Sequence, residues 1–263
     1  NPDISKLYLY KKKEINHAPW KIFSFFAEIR KEQFDLAVTL ETQRTHLTND
    51  LIALFSGAPR RLRYDGNAFD GADSNIFYNM LSPYDAALAH EIDRNFGVLQ
   101  RFGLALKERG LRLTISDDDE QSAKRAIETI FAKHGIKPGS PFAVILPGAY
   151  KIQNRWPLKN YMSVARRLEE KGLVPLFMLG PAEEKLADEL IRNEFPLALK
   201  NPVLEAAAIF QLSKLVLTND TGLMHIAAGV GAKTVALFGE TNPSQWKPPG
   251  EIVVSVQSSD NKI

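Results

Sequence analysis

The sequence predicts an α/β protein built on doubly wound parallel sheets. Three observations carry that class. Short runs that are apolar throughout alternate with helical stripes across the second half of the chain. Most of those runs end in a polar or glycine-containing turn, as strands do where a sheet meets solvent. The chain has 263 residues, enough for one large domain or two ordinary ones.

The elements follow in order. Leu7-Tyr8-Leu9-Tyr10 and Leu36-Ala37-Val38-Thr39-Leu40 predict strands, with a helix over about 20–31 between them. Residues 52–55 extend an apolar helical segment that ends at Gly57. Residues 64–85, rich in Asp, Asn, Gly and Ser, read as a functional or mobile loop. A longer helix is expected over 90–106, closed near Gly110. Asp117-Asp118-Asp119-Glu120 opens another, running to about 133. Its acidic first turn suits the helix macrodipole and calls for no metal.

The second half is more regular. Phe142-Ala143-Val144-Ile145-Leu146 predicts a buried strand closed by Pro147-Gly148, and 158–170 a helix that Gly172 can end. Strands at 174–180, 215–217 and 234–239 alternate with helices around 186–191, 204–212 and 223–230. Apolar strands separated by helices imply a parallel sheet covered on both faces. Right-handed crossovers then make the domain Rossmann-like. The expected division is 1–137 and 138–263, with residues 135–140 as the linker.

Composition excludes several function classes. Apolar residues make up 44% and charged residues 24% of the chain, which is average for a soluble globular protein and rules out a disordered or collagenous chain. No stretch approaches the roughly 18 uncharged apolar residues of a spanning helix. There is no cysteine, so disulfides, thiolate catalysis and thiolate metal sites are excluded. The five histidines, at 17, 46, 90, 134 and 225, form no local metal motif. The formal charge is +2, without the strong basic excess of a nucleic-acid binder. Lys11-Lys12-Lys13 and Arg60-Arg61-Leu62-Arg63, each taken alone, read as solvated faces. The chain opens Asn1-Pro2-Asp3-Ile4, without Met or a signal-peptide pattern, and reads as an internal span of something longer.

The most informative run is Thr218-Asn219-Asp220-Thr221-Gly222-Leu223-Met224-His225. A strand ends in polar residues, turns on Asp-Thr-Gly and enters a helix whose first N–H groups lack intrahelical partners. Such an end at a sheet's carboxyl edge suits a phosphate or diphosphate. Gly222 would let a ligand approach the backbone, and His225 lies about one turn in. An equally admissible reading makes Asp220 or Thr221 a simple N-cap and His225 a core histidine. Four further loops fall on the same edge. Gly148, Lys151, Asn154 and Arg155 lie in one, where Arg155 could pair bidentately with a phosphate while Trp156 packs down. Glu183 and Glu184 lie in the next; one suits a helix N-terminus, the other a ribose or sugar hydroxyl. Asn201-Pro202 is placed to flank a base, and Thr241 sits in the last.

Asp220-Thr-Gly-Leu-Met-His-Ile-Ala-Ala, followed by Val235-Ala-Leu-Phe-Gly-Glu-Thr-Asn-Pro243, resembles the signature of the family 9 glycosyltransferases, the heptosyltransferases of bacterial lipopolysaccharide assembly. Arg155-Trp-Pro and Gly180-Pro-Ala-Glu183 resemble the two preceding donor-site motifs, in the right order. Phe34-Asp-Leu-Ala-Val-Thr-Leu-Glu41 and Ser56-Gly-Ala-Pro-Arg-Arg61 extend a looser likeness into the first half. The resemblance implies the GT-B architecture, two Rossmann-like domains, and inverting, metal-independent transfer with no cofactor. By residue it implies that Asp220, Thr221, Gly222 and His225 hold the sugar diphosphate, that Arg155 and Asn154 meet its phosphates, and that Glu183 takes the ribose. The family often has two cations before the Trp-Pro. Here Asn154-Arg155 stands instead, with Lys151 as the candidate replacement.

The expected reaction is transfer of a sugar, heptose from an ADP-activated donor, to a lipopolysaccharide core. Asp220 and Arg155 are the expected catalytic residues. Gly148, Lys151, Asn154, Glu183, Pro202, Thr221, Gly222, Met224, His225 and Thr241 are the expected substrate contacts. The family's proposed base, an aspartate in an initial glycine loop, has no counterpart in these residues. Arg60, Arg61 and Arg63 lie on the acceptor side, where an anionic lipid core would dock. The expected setting is cytoplasmic, peripheral on the inner membrane. A GT-B enzyme with another donor, an epimerase, and a non-catalytic nucleotide-sugar binder are the alternatives.

Overall fold

The computed structural model describes residues 4–18, 20–40, 46–65, 75–83, 85, 87–100, 102–149 and 155–258. The chain divides into two compact units, Asn1–Lys107 and Glu108–Ile263.

The first unit carries helices α1 (Lys12–His17) and α2 (Lys21–Lys31), strand β1 (Leu36–Val38), helix α3 (Leu47–Phe55), strands β2 (Arg60–Tyr64) and β3 (Met80–Ser82), and helix α4 (Glu91–Gln100). The strands form a parallel sheet in the order β1-β2-β3, with α3 crossing over between the first two. Gly57 follows α3 at φ +77°, a left-handed turn that ends the helix. Ala53 packs on Phe77 and Tyr78, and Leu62 and Tyr64 pack on Val98.

Three expectations are corrected in this unit. Leu7-Tyr8-Leu9-Tyr10 is irregular, with Leu7 and Leu9 exposed, because no described strand pairs with it. A strand is secured by its neighbours' hydrogen bonds, not by its apolar pattern alone. Residues 64–85 are not all loop: Met80–Ser82 joins the sheet and Phe77 and Tyr78 are buried, since β2 offers an edge for pairing. The helix expected over 90–106 stops at Gln100, where Gly103 turns the chain at φ +71°.

The second unit has a six-stranded, wholly parallel sheet in the order β6-β5-β4-β7-β8-β9. Its elements are α5 (Asp117–Lys133), β4 (Phe142–Leu146), α6 (Leu158–Glu170), β5 (Val174–Leu179), a 3-10 turn Pro181–Leu186, α7 (Ala187–Arg192), β6 (Leu197–Leu199), α8 (Val203–Leu212), β7 (Leu215–Asn219), α9 (Gly222–Gly229), β8 (Thr234–Phe238), α10 (Pro243–Trp246) and β9 (Val253–Gln257). Successive strand residues point to opposite faces. Val144, Leu146, Leu176 and Met178 accordingly pack under α5 and α8. Ile145, Phe177 and Leu179 pack on Tyr161 and Ala165 of α6 and Leu190 of α7. Both faces are covered, which explains why β4 and β5 are apolar at every position.

The units divide at Lys107/Glu108, well before the expected 137/138. Ala123, Ile127 and Phe131 of α5 lie in the second unit's core, so the helix belongs there. Residues 135–140 form the turn between α5 and β4, with Gly135 and Gly139 at positive φ. Ser116 caps α5 by accepting the Asp119 N–H at 3.2 Å. The other expected strands and helices of this half stand close to their predicted bounds. β6 and the edge strand β9 were not anticipated. Among the described residues no helix is long and apolar enough to cross a membrane.

Candidate donor site at the switch point of the second sheet

From β4 the chain winds outward through β5 to β6, then returns to lay β7, β8 and β9 on β4's other side. The strand order therefore reverses between β4 and β7. In open parallel sheets ligands bind outside the carboxyl ends of the strands at such a point. The loops leaving β4 and β7 are those that carry Gly148, Arg155 and Asp220.

Asn219 joins the two loops. It ends β7, is fully buried, and its Nδ2 donates to the carbonyls of Pro147 at 3.0 Å and Gly148 at 3.1 Å. Its Oδ1 accepts from Tyr161 Oη at 2.7 Å and from the Trp156 N–H at 3.3 Å. All of the amide's hydrogen-bonding capacity is thus committed to holding the crest of the sheet. Burial raises the Tyr161 pKa above its usual value, so its hydroxyl remains a donor. The indole of Trp156 packs edge-on to the Tyr161 ring, 5.0 Å between centroids, as expected. Asn219 was not singled out from sequence, although a polar residue closing an apolar strand beside Asp220 was a usable signal.

Asp220 follows, partly buried, with its N–H donated to the Leu237 carbonyl at 2.9 Å. Thr221 is the extended N-cap of α9, but its side chain makes no capping bond. Its Oγ1 is instead buried without a partner. Gly222 is exposed, and a Cβ added there would meet nothing within 4 Å. His225 is partly buried one turn into the helix. Met224 departs from expectation: it is wholly buried with Ala228, Ala236, Phe238 and Val253, and so belongs to the core.

Thr221 has company. Asn201 Oδ1, after β6, and Thr241 Oγ1, after β8, are also buried without partners. Pro202 is exposed beside Asn201. Buried polar groups are nearly always hydrogen-bonded. These three oxygens lie in loops along one carboxyl edge of the sheet, which makes that edge the candidate site. A cavity of about 690 Å³ lies elsewhere on this unit, lined by Lys133, Glu169, Pro175 and Pro196. None of the orphaned atoms belongs to its lining.

The loops after β4 and β5 meet at Glu183. Arg155 donates from Nε to the Ala149 carbonyl at 2.7 Å and from Nη2 to Glu183 Oε1 at 3.3 Å. Glu184 instead pairs with Lys200 at the surface. The structure thus sorts the two glutamates, turning Glu183 inward with 12% of its side chain exposed. Lys151 and Asn154 lie outside the described residues.

The basic trio of the first unit is corrected as well. Arg63 is 5% exposed and pairs at 3.3 Å with the fully buried Asp50, so it is an internal residue and does not face an acceptor. Arg61 donates to the Phe77 and Ala58 carbonyls. Of the three, Arg60 alone is exposed.

The model of glycosyltransferase family 9 (heptosyltransferase) matches residues 22–262. A lipooligosaccharide heptosyltransferase 2 of Haemophilus influenzae is 28% identical over 239 residues, 83% of this chain and 64% of that protein. Among solved structures, a family 9 glycosyl transferase of Veillonella parvula superposes with a TM-score of 0.75 at 20% identity, covering 90% of this chain and 68% of the other. The ADP-heptose lipopolysaccharide heptosyltransferase II of E. coli superposes at 0.70 and 19%, covering 89% and 71%. These neighbours share the α/β, parallel-sheet GT-B fold seen here. The chain thus spans just under two thirds of the length of its Haemophilus relative, and it belongs to glycosyltransferase family 9.

Proposed function

We propose that this chain supplies the nucleotide-sugar site of a transferase that moves heptose from ADP-heptose to a lipopolysaccharide core acceptor. The observation that carries the reading is the orphaned Thr221 hydroxyl at the N-terminus of α9, set at the switch point of a parallel sheet. The relatives' names supply the chemistry of donor and acceptor.

In this reading the diphosphate sits on the first N–H groups of α9, with the Thr221 hydroxyl as a further donor. Departure of the nucleoside diphosphate builds negative charge, and fixed dipoles aimed at that charge lower the barrier. Asp220 accepts from sugar hydroxyls and opposes positive charge developing on the ring. Glu183 receives the ribose, the loop at Asn201 and Pro202 flanks the base, and Thr241 and His225 close the sugar end. Transfer proceeds with inversion and without a metal, at the cytoplasmic face of the inner membrane where the anionic acceptor is anchored. The acceptor hydroxyl must also lose its proton to a general base.

The test is Asp220→Ala in the longest natural polypeptide containing these residues, followed by mass spectrometry of the acceptor. The expected result is loss of the added heptose with the fold retained by circular dichroism. Near-normal turnover would sink the assignment. Transfer that survives a chelator supports the metal-free step; abolition by chelator and rescue by a divalent cation would overturn it.

A further inference from the structure

We propose that Arg155 is a positioning residue: with Gly148 and Gly180 it forms a seat that presents the Glu183 carboxylate to the vicinal hydroxyls of a nucleoside ribose. The proposal rests on the nucleotide reading above and goes beyond it by assigning Arg155 to the ribose carboxylate rather than to the phosphates.

The geometry is specific. A Cβ placed on Gly148 would lie 2.7 Å from Glu183 Cδ and 2.9 Å from both Cγ and Oε1. A Cβ on Gly180 would lie 3.0 Å from Oε2. The carboxylate therefore rests on two bare backbone segments, one leaving β4 and one leaving β5. Arg155 fastens it from the side, with Nε anchored on the Ala149 carbonyl and Nη2 on Oε1. Guanidinium donors are held in a rigid fork, so anchoring one fixes the direction of the others. A carboxylate has about four acceptor positions. The Arg155 bond leaves room for two hydroxyl donors on the inward-turned group.

A lysine could neutralise a phosphate equally well, but its freely rotating ammonium lacks the planar fork by which a bond to Ala149 fixes the direction of the bond to Glu183. The Gly148 observation is independent of Arg155 altogether. It also yields a mild perturbation, because an added methyl displaces only the end of a flexible side chain. Gly148, expected to contact substrate, also makes space for Glu183 with its bare backbone.

The test is a comparison of two ligands by titration calorimetry on the full chain. The ligands are ADP and 2′,3′-dideoxy-ADP; the proteins are wild type, Glu183→Gln, Arg155→Met, Arg155→Lys and Gly148→Ala. Wild type should prefer ADP by roughly ten- to a hundredfold, the value of hydrogen bonds to a charged acceptor. Each variant should lose most of that preference, with Arg155→Lys failing to restore it. An Arg155→Met protein that weakens both ligands equally and keeps the wild-type preference would assign Arg155 to the phosphates and overturn the proposal alone. Wild type that binds neither ligand overturns the nucleotide reading and the proposal with it. If Arg155→Met unfolds, Gly148→Ala decides: a retained preference refutes the seat, and a lost one supports it.

Discussion

Asn219 in the second unit and Asp50 in the first are both fully buried polar side chains bonded to a tyrosine, yet their surroundings differ. Asn219 is neutral, and its amide is matched on every side by Pro147, Gly148, Trp156 and Tyr161. Asp50 is charged. It takes Arg63 at 3.3 Å and Tyr78 at 2.8 Å through Oδ1, while its own Oδ2 and Arg63 Nε are left without partners. Tyr78 Oη in turn accepts from the Thr39 hydroxyl at 2.8 Å. A satisfied neutral network rigidifies what it joins, whereas a half-satisfied ionic one is held against its own desolvation. The first ties the loop after β4 to the end of β7, and the second ties α3 to β2.

The sharpest way to break this comparison is to remove one charge. Asp50→Ala leaves Arg63 buried and uncompensated and should destabilise the first unit by about 3–5 kcal/mol in urea unfolding. Replacing both partners, Asp50→Leu with Arg63→Met, should be near neutral or stabilising. A double variant as unstable as the single one would show that the pair is irreplaceable.

Asn219→Ala strands two carbonyls, a hydroxyl and an N–H, and each buried group left unpaired costs about 1–3 kcal/mol, relieved where water enters. The expected net loss is about 2–3 kcal/mol, together with weaker ADP binding, because the loops after β4 and β7 lose their tie. Unchanged ADP affinity would separate the network from the ligand edge.

Alkaline pH separates the nodes more gently. Burial raises the pKa of both Tyr161 and Tyr78, and for Tyr78 the adjacent Asp50 raises it further. A raised folded pKa means that stability is fully present below the unfolded value of 10.0 and declines as pH rises beyond it. Tyr161→Phe and Tyr78→Phe should each flatten that decline in thermal melts taken between neutral pH and pH values above 10. The smallest effect is at Ser116, where Ser116→Ala removes the α5 cap and should cost about 1 kcal/mol.

How much was legible follows from how local each signal is. The four central strands of the second sheet were readable, helped by burial on both faces that leaves an unbroken apolar run such as Phe142–Leu146, whereas the three-residue edge strand β6 was too short to stand out. Turn chemistry before α9 was readable because Asp220-Thr221-Gly222 is contiguous. The edge strand β9 was not, since Val254 and Val256 face solvent and the segment lacks a two-faced pattern. Met224 misled because it sits beside His225 in sequence while α9 turns it toward Phe238.

The sequence by itself determined the α/β class, the central strands and helices of the second unit and its five polar loops, because periodicity and turn residues act over a few positions. Family membership follows from the same contiguous motifs. Only the tertiary structure decided which polar side chains are inside: Arg63 buried, Glu183 turned inward and Glu184 outward, Asn219 tied across two loops. Those outcomes depend on partners more than ten residues away. Arg155 reaches Glu183 across 28 positions and Asn219 reaches Gly148 across 71, separations over which no local pattern constrains geometry. Packing against a distant neighbour, not propensity, sets a side chain's solvation and hence its chemistry.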